Sequence, residues 1–147
     1  MTVNKGPGSA HRLLDPFAGK WRTEGWIRET ADHPAIKIQG TDTYEWLPGG
    51  YFLLHRVDVE IGEERNETIE IIGFDQEHER YTMQHFDNKG NTGIMYGSVA
   101  DGIWTFLGTS LRFTGGFTQD GRTLSGIWEQ TTDGKNWTPL MDITLSK

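Results

Sequence analysis

The stretch YFLLHRVDVEIG, residues 51–62, decides the fold class. Tyr51, Leu53, Val57, Val59 and Ile61 share one side of it with His55, while Arg56, Asp58 and Glu60 occupy the other. A period of two marks a strand with one face buried and one in water. The charged groups at 56, 58 and 60 require solvent, so the strand carries His55 inward. That histidine is either a hydrogen-bonded core residue or part of a site.

The same period repeats on both sides of this stretch. From Trp21 onward the chain divides into ten short runs, near residues 21–30, 35–47, 51–61, 67–74, 79–87, 92–99, 102–107, 110–118, 122–131 and 136–146. Pro48-Gly49-Gly50, Asn88-Lys89-Gly90-Asn91, Asp101-Gly102, Asp120-Gly121 and Asp133-Gly134 punctuate them with residues suited to hairpin turns. Connections this short cannot cross over between parallel strands, so the chain forms an antiparallel meander. An open meander would leave two unpaired edges, which closure removes. The expected fold is all-β, an antiparallel up-and-down meander closed into a barrel of about ten strands. Before it, HRLLDPFAGKW (residues 11–21) allows one short N-terminal helical turn limited by Pro16, with Leu13, Leu14 and Phe17 plugging the barrel beneath a buried Trp21. At 147 residues one core is expected: 1–14 as a flexible N-terminal segment and 15–147 as a single barrel domain.

Composition narrows the function classes. The formal charge is −7 with scattered basic residues, which argues against nucleic-acid and anionic-membrane partners. Without cysteine there is no disulfide, no thiol nucleophile and no thiolate metal site. No apolar leader opens the chain and no run approaches the ~18 residues of a membrane span. A cytoplasmic protein is expected, and the sequons at Asn66 and Asn136 then read as chance matches.

Alternation also assigns the inner face. The second run presents Ile36, Ile38, Gly40, Asp42, Tyr44 and Trp46; the fourth and fifth are read with Ile69, Ile71, Tyr81, Met83 and His85 inward; the late runs add Leu111, Phe113, Phe117, Leu124, Trp128, Trp137, Met141, Ile143 and Leu145. Asp42, His55, His85 and Gln130 form a polar minority on these faces. No phosphate loop, dinucleotide fingerprint, serine-nucleophile elbow or zinc-protease motif occurs, and Asp42, His55 and His85 lack metal-ligand spacing. No cofactor and no metal are expected. The reading that follows is a non-catalytic barrel binding a small apolar or aromatic ligand through His55, His85, Tyr44, Met83, Trp128 and Asp42. One alternative is an enzyme using His55, His85 and Asp42 for general acid–base chemistry. Another is a homodimer joined through an apolar strand face.

At FAGKWRTEGW, residues 17–26, the chain resembles the lipocalin-like barrels of the calycin superfamily, whose first strand carries a Gly-x-Trp motif, here Gly19-Lys20-Trp21. TDTYEWLPGGYFLLHRVDV, IEIIGFDQ and GIWEQTTDGKNWTPLMDITLSK are similar to a bacterial family of uncharacterised barrel proteins. The resemblance implies a fold and no particular activity. It departs from secreted lipocalins, since Thr41-Asp42-Thr43-Tyr44 lies early and the chain ends in Lys147. It also departs from the haem-holding nitrobindin-like barrels, since no histidine follows His85.

Overall fold

The computed structural model describes residues 6–147. Ten strands among them run in chain order: β1 (Gly19–Ile27), β2 (Ile36–Trp46), β3 (Leu53–Ile61), β4 (Glu64–Asp75), β5 (Arg80–Asp87), β6 (Thr92–Ala100), β7 (Ile103–Leu107), β8 (Leu111–Phe117), β9 (Thr123–Gln130) and β10 (Thr138–Ser146). Each pairs antiparallel with its sequence neighbours, and β1 pairs with β10 from Arg22↔Ser146 to Ile27↔Met141, closing the barrel. The meander read from the sequence is the fold. At the β6–β7 turn Asp101 and Gly102 both take positive φ, 51° and 77°, the two-residue geometry whose twist matches a hairpin.

One end of the barrel is capped. Residues Ser9–Arg12 form a helical turn (α1), and Asp15–Phe17 form a 3₁₀ turn with Pro16 in its first positions, where a missing N–H costs nothing. Phe17 drives into the interior against Tyr44, Trp104, Phe106 and Phe117. Trp21 is 1% exposed, its indole N–H donating to the Phe17 carbonyl at 2.7 Å. The Trp46 indole holds Asp15, and the Tyr81 hydroxyl donates to the Ala10 carbonyl. The opposite end, ringed by the β1–β2, β3–β4, β5–β6, β7–β8 and β9–β10 turns, has no such cap among the described residues.

Several sequence expectations are corrected. Residues 1–5 of the segment expected to be flexible lie outside the described residues, but Leu14 within it is core, 2% exposed. Leu13 is not part of the plug; it is 53% exposed, because adjacent residues in a helical turn point to different sides and Leu14 takes the inner one. Tyr51 precedes β3 and lies edge-on to His11 at the capped end. Trp137 precedes β10 and lies against the Arg112 guanidinium on the outside, 4.4 Å from its ring centroid. Ile69 and Ile71 face outward, Ile69 being 39% exposed, while Thr68, Glu70 and Ile72 on the same strand face in.

Because Trp21 joins the cap to the first strand, Trp21→Ala should cost about 3–5 kcal/mol, as large aromatic deletions in cores do. A urea denaturation midpoint unchanged by the substitution would show that the cap does not brace the barrel.

Candidate functional site

The inner faces enclose a cavity of about 330 Å³. The register of the first half of the sheet builds its polar wall. Tyr44 stands opposite His55, His55 opposite Glu70, Glu70 opposite His85, and His85 opposite Gly93, so one straight row crosses five strands. Directly opposed residues lie about 5 Å apart and share a face. Asp42 is two residues along β2 from Tyr44, on the same face, and Thr23 reaches it from β1.

His55 is held on every side. Its Nε2 faces Asp42 Oδ2 and its Nδ1 faces Glu70 Oε1, each at 2.9 Å. The Tyr44 ring stacks on it at 3.9 Å with the planes 9° apart, and the Thr23 hydroxyl donates to Asp42 Oδ1 at 2.7 Å. Burial by itself would lower the pKa of this ring. The hydrogen bonds to Asp42 and Glu70, with the charges of both, outweigh burial and push it up to about 9. The ring is therefore an imidazolium at neutral pH, donating both N–H groups to carboxylates. Burial and the charges of Asp42 and Glu70 push the Tyr44 phenol well above its ordinary value, so it stays neutral. The question raised by the opening stretch is answered: His55 lines the cavity, and both its nitrogens are already used.

His85 differs. Its ring occupies the space left by the missing side chain of Gly93, where a Cβ would fall 2.9 Å from Cε1. Among the described residues neither of its ring nitrogens has a hydrogen-bond partner, and the same holds for Glu70 Oε2. Both residues line the cavity, as do the Tyr44 and Thr68 hydroxyls and the Trp128 indole N–H, which likewise have no hydrogen-bond partner among the described residues, so these polar atoms are left to meet whatever enters.

All six residues singled out from the sequence, Asp42, Tyr44, His55, Met83, His85 and Trp128, line this one cavity. Gln130 does not; it sits exposed where β9 ends. Glu70 and Thr23 were missed. The signal for Glu70 lay in the turn: with Gly62-Glu63 as a two-residue connection, 55 pairs with 70, and an inward His55 requires an inward Glu70. Reading a longer connection before residue 67 hid that constraint.

The cavity is sided. Thr23, Asp42, Tyr44, His55, Thr68, Glu70 and His85 all come from β1–β5, and the lining residues from β6–β10 are apolar but for the Trp128 indole N–H. Among the latter, Phe113 lies across Gly115 and Gly126, where added Cβ atoms would come within 2.7 and 2.3 Å of its ring. The only group among the described residues with three metal-ligating atoms close together is Asp75, Glu77 and His78. It sits on the β4–β5 turn at the capped end, away from the cavity, with His78 already hydrogen-bonded to Asp75 at 2.8 Å.

The His55 cluster makes stability depend on pH. Its folded pKa of about 9 lies above the unfolded 6.5, so the folded state holds the extra proton. The contribution is complete below pH 6.5 and is lost as pH rises through about 9. That loss should amount to about 3 kcal/mol. Unfolding free energies measured across this interval should decline in the wild type and stay nearly level in His55→Gln; equal slopes would place the protonation elsewhere.

The described residues contain no helix long and apolar enough to cross a membrane. Among solved structures, that of Rv2717c from M. tuberculosis is similar, with a TM-score of 0.70 over 95% of this chain and 98% of its own, at 14% identity. A likeness at that identity concerns the fold alone. No curated protein is similar enough to count as a relative. A family model matches residues 6–142, and with the matched region spanning the cap and nearly all of the barrel, the chain belongs to the family described as "Protein of unknown function (DUF1579)".

Proposed function

We propose that this protein is a lipocalin-like, calycin-type container that binds a small, mostly apolar ligand in the barrel cavity without transforming it. The observation that carries this reading is the cavity itself. Its volume of about 330 Å³ falls in the range of ligand sites, and is roughly twice the ~150 Å³ that suffices for benzene. Its walls are apolar apart from one polar side, and that side presents unpartnered groups, among them the His85 ring and Glu70 Oε2. These atoms are accessible from the cavity, so an entering ligand can hydrogen-bond to them directly.

The acid–base alternative meets a specific obstacle. A general base must accept a proton, and His55 is already protonated at neutral pH, with both protons committed to Asp42 and Glu70. Asp42 in turn has both oxygens occupied, by Thr23 and His55. His85 alone of the three is free, and a lone imidazole with no orienting partner is a better binding group than a catalyst.

A homodimer is favoured by a different observation. Ile69 and Phe86, direct cross-strand neighbours on the outside of β4 and β5, are exposed, as is Ile94 on β6. Apolar groups clustered on an outer sheet face mark an association surface. Sedimentation should then show a dimer that Phe86→Glu converts to monomer; a monomeric wild type removes this reading and leaves the cavity untouched.

Two measurements test the container. Native mass spectrometry of protein purified from its own host should reveal a retained small molecule, and N-phenylnaphthylamine, a neutral apolar fluorophore, should brighten on entering the barrel. His85→Ala should weaken retention while changing stability by less than about 0.5 kcal/mol, since its ring has no partner to lose. His55→Ala should instead cost about 3–5 kcal/mol, because two buried carboxylates lose the cation between them. Absence of both a retained mass and fluorophore binding would overturn the reading.

A further inference from the structure

We infer that the cavity selects ligands whose polar end is a positively charged hydrogen-bond donor, an alkyl- or arylammonium group, and rejects those that end in a carboxylate. This rests on the container reading above and says what class of molecule the container takes.

The charged lining groups are two acids, Asp42 and Glu70, and one cation, His55; no lysine or arginine lines the cavity. The imidazolium lies between the two carboxylates and offers no further N–H, since Nε2 serves Asp42 and Nδ1 serves Glu70. Two carboxylates about one imidazolium leave an unbalanced negative charge in an apolar enclosure. An entering carboxylate would add a second, with no cation to receive it, which is the costly form of burial. An ammonium would balance it.

Two neighbouring unpartnered groups match the same head group. An ionised Glu70 Oε2 can only accept from a donor, and an imidazole such as that of His85 has one nitrogen able to accept when it is neutral. They stand on directly opposed residues of β4 and β5, so one donor-rich head group can reach both. The apolar wall from β6–β10 faces this polar row, leaving the rest of an amphiphilic amine against Met95, Phe113, Leu124 and Trp128. The chain's formal charge of −7 adds a field that favours the approach of cations over anions.

Titration calorimetry with phenylbutylamine, phenylbutanol and phenylbutanoate separates the possibilities, because the three share one apolar body and differ in charge. The amine should bind at least tenfold tighter than the alcohol, and the carboxylate should bind weakest. Glu70→Gln, which keeps an acceptor for His55 and removes the charge, should bring the amine and the alcohol to within about threefold. Should Glu70→Gln fail to fold, Thr68→Lys serves instead: it sets a cation on the inner face of β4 between Glu70 and the open end, and should reverse the order of amine and carboxylate. Equal binding of all three, or a carboxylate preference in the wild type, overturns the selectivity and leaves the container standing. Binding of none of the three, with the fluorophore also excluded, overturns both.

Discussion

Pairing of the first strand with the last is the constraint on which the rest of this protein depends. Once Gly25 is fixed opposite both Ile143 and Ile38, the register of every intervening strand must accommodate a closed circle. Closure leaves no edge to pair with another chain, and it encloses a volume that a ten-strand circumference is too wide to fill with side chains alone. The cap of Leu14, Phe17 and Trp21 fills one end of that volume. What remains, toward the uncapped end, is the cavity. Closure also joins residues more than a hundred positions apart, so the barrel forms only after long loops have been closed, which is the slow regime of folding.

Inside the circle, the Asp42–His55–Glu70 cluster is the most consequential polar feature. A buried ion cluster is weak grounds for stability when compared with apolar residues of the same size, yet removing any one member strands the others. It therefore acts on specificity. Only the observed register of β2, β3 and β4 brings the three groups together, and a slip by one residue in any of them would bury a charge without its partner. The cluster serves as a register lock for these three strands.

Much of this was legible in the sequence, and the reasons are local. Asp101-Gly102 and the other turn pairs state where strands end, and Arg56, Asp58 and Glu60 state which way β3 faces. The fourth strand was opaque because Ile69, Ile71 and Ile72 place apolar residues on both faces, so alternation there has two solutions. The choice is made across space, where an inward Glu70 meets His55 and the outward isoleucines lie beside Leu54 and Phe86. Trp137 misled for a similar reason: a tryptophan near a strand start reads as core, and only the fold reveals an arginine on the outer surface able to stack on it.

The division of the cavity lining between the two halves of the chain has a consequence for how this fold can diversify. Chemistry resides in residues before position 86 and shape in residues after position 94. Pocket size is governed on the second side by Phe113 and by the glycines beneath it at 115 and 126, none of which touches the charged row. Changes there can widen or narrow the chamber while the head-group preference stays fixed, and changes in the row can alter that preference within an unchanged chamber. Two properties that most binding sites vary together are, in this barrel, inherited separately.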